Sequence, residues 1–245
     1  MKCYGIIGYP LSHSFSQQYF TDKFRQEAIH DCRYDNYPLP AIDQLHGLLQ
    51  QNKELRGLNV TIPYKRSVLP FLSDHSQLPA PLGACNCIRI DDGKLTGYNT
   101  DVIGFERSIV PLLQKHHTKA MILGNGGAAE AVKFVLKKLG LGFTTVGRTI
   151  RHDVDLTYDQ LNEKLILEHA VIINSTPLGT FPAVDQCPEI PYQCLTHHHL
   201  LYDLVYNPAK TLFLQKGEKR GAGIKNGYEM LVIQAEESWR IWNEV

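Results

Sequence analysis

Three short stretches in the first hundred or so residues concentrate hydroxyl, amide and charged side chains: Ser12-His13-Ser14-Phe15-Ser16, Asn59-Val60-Thr61-Ile62-Pro63-Tyr64-Lys65 and Asn99-Thr100-Asp101. Hydroxyls and amides at that density suit a ligand rich in oxygen, because each offers both donors and acceptors. An amine at Lys65 and a carboxylate at Asp101 add a pair able to exchange a proton with a bound molecule. Each stretch also has an ordinary explanation. Serines ahead of a helix are commonly caps, Asn59 and Thr61 can be edge-strand polar residues, and an isolated lysine is usually solvated.

A second signature is Gly124-Asn125-Gly126-Gly127-Ala128-Ala129, which follows an apolar run at 121–123 and opens an amphipathic stretch carrying Val132, Val135, Leu136 and Leu139. Glycines between a strand and a helix leave room for a pyrophosphate and aim helix N-terminal amides at it, which is the context of dinucleotide binding. Without a ligand, the same residues would make a tight strand-to-helix turn. The next strand ends in Gly147-Arg148-Thr149. An acid there would bind a ribose 2′-hydroxyl and repel a 2′-phosphate; here Arg148 offers a planar cation, with Arg151 in support, so NADP is expected over NAD. The plain alternative for Arg148 is a solvated loop cation.

These groups need a frame, and short apolar runs alternating with amphipathic stretches predict one: repeated βα units around a largely parallel sheet. Strands are expected at 4–8, 34–37 and 55–62, with helices carrying Phe20, Phe24 and Ala28, and then Ile42, Leu45, Leu48 and Leu49. Pro63 sits where a helix can begin, which puts Lys65 in a first helical turn. Runs at 86–90 and 94–98 flank Asp92-Gly93, the signal of a tight hairpin. Thr100 is placed to cap a helix over 102–113. Further strands are expected at 143–146, 171–174 and 200–205, then a short helix near Leu212. A last helix over 227–242 presents Leu231, Val232, Ala235 and Trp239 on one face and must dock on something.

Composition narrows the partners. The 245 residues are 43% hydrophobic, with 25 basic and 25 acidic side chains and no long run of like charge. That predicts a globular chain binding a small molecule rather than nucleic acid. No targeting or membrane-spanning segment is read, so a cytoplasmic location is expected. The six cysteines are read as reduced thiols. Cys187, Cys194 and His197 to His199 lie in a turn-like stretch without a paired C-x-x-C, and no metal is expected there.

Taken together, the ordered motifs resemble the shikimate dehydrogenase family over nearly the full chain. They are Gly8 through Ser16, Gly57 through Lys65, Gly83-Ala84-Cys85-Asn86, Gly97 through Asp101, Gly124 through Ala129, Asn174-Ser175-Thr176-Pro177, Tyr202 through Pro208 and Gly227 through Gln234. The resemblance implies an α/β protein with an N-terminal open, mostly parallel sheet forming a substrate domain, a Rossmann-type NADP-binding domain, and a cleft between them. The substrate domain would comprise 1–101 plus 226–245 and the cofactor domain 102–225, with the terminal helix returning to supply Gln234. Reversible reduction of 3-dehydroshikimate to shikimate by NADPH is the implied activity, a step in making aromatic amino acids. Lys65 and Asp101 would form the acid/base pair. Ser14, Ser16 and Tyr206 would hold the substrate carboxylate, and Thr61, Asn86, Asp101 and Gln234 the ring hydroxyls, with Asn59 in support. Cofactor contacts would come from Gly124, Asn125, Gly126, Gly127, Ala128, Arg148, Thr149, Thr176, Leu204 and Gly227. Closure of the two domains over the substrate is expected, and the chain is expected as a monomer or homodimer.

The chain departs from the family's pattern at Gly147, where asparagine is frequent, at Cys87 in place of a common threonine, and at Gln77 in place of a frequent acid. Two rival readings stay open at this point. One is the quinate/shikimate dehydrogenase branch, using NAD or NADP; Ser14, Ser16 and Arg148 lean away from it. The other is a non-catalytic redox sensor that holds NADP(H) without turnover, against which Lys65 and Asp101 argue.

Overall fold

The structure is a computed structural model that describes residues 1–11, 15–80 and 82–244. In chain order its strands and helices are β1 (Lys2–Gly8), α1 (Phe15–Gln26), β2 (Cys32–Pro38), α2 (Leu45–Gln51), β3 (Leu55–Val60), β4 (Cys87–Asp91), β5 (Lys94–Tyr98), α3 (Thr100–Ile109), β6 (Lys119–Leu123), α4 (Gly127–Lys138), β7 (Gly142–Gly147), β8 (Leu156–Thr157), α5 (Glu163–Glu168), β9 (Val171–Asn174), β10 (Leu200–Asp203), α6 (Leu212–Glu218), β11 (Gly223–Lys225) and α7 (Tyr228–Asn243). The chain divides into two compact units, Met1–Ile103 with Gln234–Val245, and Gly104–Ile233. Among the described residues no helix is long and apolar enough to cross a membrane.

In the first unit the sheet order is β2-β1-β3-β4-β5. β1 pairs in parallel with both β2 and β3, because α1 and α2 supply the crossovers. β4 joins β3 antiparallel and turns into β5 through Asp92 (φ +47) and Gly93 (φ +83), a left-handed pair that two-residue hairpins require. Alternation along central β1 sends Cys3 and Ile7 to one face, against Leu45, Leu55 and Val60, and Tyr4 and Ile6 to the other. That second face is aromatic. Tyr4 stacks on Trp242 at 5.0 Å and meets Trp239 edge-on at 5.3 Å, so the end of α7 docks here. Trp242 also donates Nε1–H to the Ile88 carbonyl at 3.0 Å, and β3 carries Gly57 beneath it, where an added Cβ would lie 2.3 Å from that nitrogen.

α1 ends earlier than its apolar spacing predicts. Ala28 is not on the helix but just past it, at φ +53; the Ile29 amide reaches back to the Phe24 carbonyl at 2.9 Å and the Ala28 amide to Arg25 at 3.4 Å. This is a Schellman closure with alanine at the position glycine usually fills.

The second unit is built on six parallel strands in the order β11-β10-β9-β6-β7-β8. β6 is the point where the order reverses: β7 follows on one side and β9 lies on the other. Open sheets bind ligands outside the carboxyl ends of their strands at such a point. The core under it gathers Met121, Leu123, Val146, Ile172, Leu201 and Phe213. β8, β11 and α5 have no counterpart in the sequence reading, being two, three and six residues long.

Candidate functional site

In the first unit, Lys65 Nζ donates to Asp101 Oδ2 at 2.6 Å, with side-chain exposures of 16% and 3%. Two groups 36 residues apart in sequence are therefore an ion pair within one unit. Asp101 stands in the first turn of α3, where the helix dipole favours a negative charge.

Two local expectations are corrected here. Residues 63–68 form successive turns rather than a helix, and the Ile62–Pro63 peptide is cis. A helix would require the Lys65 carbonyl to accept from residue 69; instead the Cys85 amide takes it at 2.8 Å, and the Leu69 amide bonds Arg66. Lys65 is thus tied to the segment that leads into Asn86. Nor does Thr100 cap α3: it is the first helical residue, and the Asn99 side chain accepts from the Val102 amide at 3.2 Å. α3 stops at Ile109, with a short tighter turn over Val110–Leu112.

Thr100 instead joins Asn86. Asn86 Oδ1 accepts from the Thr100 amide at 2.7 Å, and Asn86 Nδ2 donates to the Thr100 hydroxyl at 3.0 Å, both buried. The start of α3, and Asp101 with it, is fastened to the chain ahead of β4. The Asn86 carbonyl also accepts from the Val60 amide at 2.8 Å and from Asn59 Nδ2 at 3.4 Å. Asn59 in turn donates to Ser238 on α7 at 2.9 Å and accepts from the Tyr34 hydroxyl at 2.8 Å, while Ser16 stands in the first turn of α1. Thr61 follows β3, its amide bonded to the Ile7 carbonyl at 2.9 Å. Gln234 lies one turn before Ser238, on the same helix face. Asn59 and Asn86 thus share one set of hydrogen bonds, and the Lys65–Asp101 ion pair adjoins it along the chain, at Cys85 and at Thr100. Ser14 lies outside the described residues.

The second unit gathers the other expected residues at the carboxyl ends of its strands. Gly124 follows β6 at φ +101; a Cβ there would come within 2.8 Å of Thr176 and 2.9 Å of Ser175, so the turn is passable only for glycine. A Cβ on Gly126, by contrast, would meet nothing within 4 Å, which leaves open ground at the start of α4 where Gly127 and Ala128 point unpaired helix amides. Asn125 Oδ1 is taken by Lys133 at 2.6 Å. Gly227 packs directly on Leu204, and its amide bonds the Val205 carbonyl at 3.1 Å. Arg148 and Thr149 are exposed beyond β7, and Arg148 has no ion pair among the described residues. Tyr206 is half-buried, and burial pushes its phenol up.

Asp203, at the end of β10, has no role in the sequence reading, and no local signal marks it. It is fully buried and accepts from Asn174 Nδ2 at 2.9 Å, from the Val205 amide at 3.0 Å and from the Thr211 hydroxyl, tying the loops after β9 and β10 together. Asn174 Oδ1 in turn holds the amide and hydroxyl of Thr176 at 3.0 and 2.6 Å. Burial pushes the Asp203 carboxyl up to about 6, against the pull of those three donors. An unfolded carboxyl titrates near 3.8, so the stability this group contributes is complete below that value and is lost as the pH rises through about 6. Asparagine does not titrate. Asp203→Asn is therefore expected to gain on wild type by up to roughly 3 kcal/mol between about pH 4 and about pH 7, read by urea unfolding at each pH. A flat difference over that interval would show that this carboxyl does not titrate there.

The chain has clear relatives. The family model described as the shikimate dehydrogenase substrate binding domain matches residues 6–88. A protein of Clostridium beijerinckii named shikimate dehydrogenase (NADP(+)) is 36% identical over 262 residues, covering 100% of this chain and 93% of the relative. The crystal structure of shikimate 5-dehydrogenase from Thermus thermophilus in complex with NADP(H) and shikimate matches with a TM-score of 0.85 at 26% identity, over 100% of this chain and 94% of that one. Quinate dehydrogenase from Corynebacterium glutamicum, in complex with NAD, matches with a TM-score of 0.86 at 27% identity, over 100% and 94%.

Proposed function

The chain belongs to the shikimate dehydrogenase family, and from that premise we infer that it interconverts 3-dehydroshikimate and shikimate with NADP(H) as cofactor. The observation that carries the reading is the Lys65–Asp101 contact at 2.6 Å, an ammonium and a carboxylate nearly shut off from solvent beside a row of amides and hydroxyls.

The second unit suits a dinucleotide: a glycine turn that no larger residue could make, open ground at Gly126, and a cation at Arg148 that has no ion pair among the described residues. Gly124 to Ala128 would hold the pyrophosphate, Arg148 and Thr149 the 2′-phosphate side, and Thr176, Leu204 and Gly227 the remainder. When bound, NADPH supplies the hydride that reaches the ketone carbon. Lys65 then donates its proton to the ketone oxygen, where negative charge would otherwise accumulate, and in the reverse direction its amine takes the proton from the alcohol. Asp101 orients Nζ and balances its charge. Ser14, Ser16 and Tyr206 would bind the carboxylate, and Asn59, Thr61, Asn86 and Gln234 would serve the ring hydroxyls. The sequence bounds, 1–101 with 226–245 for the substrate and 102–225 for the cofactor, belong to the same reading, although the compact units divide at Ile103 and at Gln234, which leaves Gly227 with the cofactor unit. A cytoplasmic monomer or homodimer belongs to the same reading.

Following cofactor absorbance with shikimate and with quinate, each with NADP+ and NAD+, tests it. Shikimate with NADP+ is expected to give the highest kcat/KM. Faster turnover of quinate with NAD+ would move the protein to the quinate branch, and no turnover with any pair would leave a binding protein.

A further inference from the structure

Tyr34 lies on β2, in the strand expected at 34–37. It is 4% exposed and stacks on Phe20 at 4.6 Å, yet its hydroxyl ends among polar groups. Tyr34 is on β2 and Asn59 on β3, with β1 between them, so the phenol reaches across β1 to donate to Asn59 Oδ1 at 2.8 Å.

The proton directions in this set are determined by one atom. The Asn86 carbonyl can only accept, so the Asn59 group facing it at 3.4 Å is the NH2, which also reaches Ser238 Oγ at 2.9 Å. Oδ1 therefore faces Tyr34, and Tyr34 must be the donor; burial, which pushes its phenol well up, keeps that proton in place. Both N–H groups of Asn59 and one lone pair of Oδ1 are then engaged, and one lone pair is left.

We propose that Tyr34 is a positioning residue of the substrate site: it holds the Asn59 amide so that Asn59 meets a substrate ring hydroxyl only as an acceptor. The inference rests on the shikimate reading above. Ring hydroxyls that can donate are selected at Asn59, and a keto or ether oxygen at that position meets a lone pair.

Tyr34→Phe keeps the ring stack and removes only the hydroxyl. Loss of one such hydrogen bond corresponds to roughly a tenfold change, so KM for shikimate is expected to rise about tenfold while kcat and KM for NADP+ stay within about twofold. In an Asn59→Ala background the same change is expected to have a clearly smaller effect, because Tyr34 acts through Asn59. An unchanged KM for shikimate, an equal effect in both backgrounds, or kcat and both KM values moving together would overturn the proposal. Should Tyr34→Phe not fold, Ser238→Ala removes the other anchor of the amide and must give the same selective rise. A wild-type protein without shikimate turnover would instead overturn the functional reading, and this inference with it.

Discussion

Lys65→Ala is expected to lower kcat by at least about a hundredfold in both directions, the scale of a positioned acid or base, with KM for shikimate changed far less. The reasoning is geometric. Nζ lies 2.6 Å from Asp101 and its side chain is 16% exposed, so water has little room to replace it as proton donor without reorganising a buried pair. Truncation also strands the Asp101 carboxylate, 3% exposed, without its cation, and a buried unpaired charge destabilises. A thermal melt must therefore accompany the kinetics, and Lys65→Met, which retains most of the alkyl chain, separates lost packing from lost chemistry. A variant that melts like wild type and turns over within about tenfold of it would remove Lys65 from the reaction, because acid/base help on the usual scale exceeds that.

How much of this was legible depended on whether the signal was local. The βα alternation was, since each strand and helix carries its own period, and so was the hairpin, because Asp92-Gly93 takes the two left-handed conformations its turn demands. The glycine turn at Gly124 to Gly127 was legible for the same reason. Elements of two or three residues, β8 and β11, hold too few side chains to show any period, and they form because neighbouring strands offer unpaired edges.

The setting of Lys65 was not legible. Proline at 63 and a plausible first turn argue for a helix, but the outcome turns on whether the Lys65 carbonyl finds residue 69 or the amide of Cys85, and nothing near Lys65 encodes the second. Tyr34 fails for a related reason. Its aromatic ring fits a buried strand, and only the parallel register of β1 with β2 and with β3 brings its hydroxyl to Asn59. Asp203 looks like the polar end of a strand until Asn174, Val205 and Thr211 converge on it. Sequence motifs thus named residues that would touch ligands, while the side chains that aim them became visible only through long-range contacts.

Cofactor choice is the second large effect expected, and it falls on Arg148. Hydrogen bonds to a charged group contribute about 1.5–3 kcal/mol, or about ten- to a hundredfold, and an exposed side chain belongs at the lower end. Arg148 is exposed, so Arg148→Ala is expected to raise KM for NADP+ about tenfold and to leave KM for NAD+ within about twofold. Among the described residues no carboxylate competes for its guanidinium, and its electrostatic neighbour is the Tyr158 phenol, so a 2′-phosphate would meet a cation already available. Gly147 before it cannot readily be enlarged, since a Cβ would stand 2.9 Å from Val154; the asparagine frequent at this position in the family would require that contact to shift. With no side chain at 147 to bind the adenosine ribose, discrimination at Arg148 would rest more heavily on charge, and charge is screened. NADP+ preference should therefore shrink as ionic strength rises in wild type and be nearly indifferent to salt in Arg148→Ala. Equal losses for the two cofactors, or a salt dependence that survives the substitution, would mean that the 2′-phosphate is recognised elsewhere.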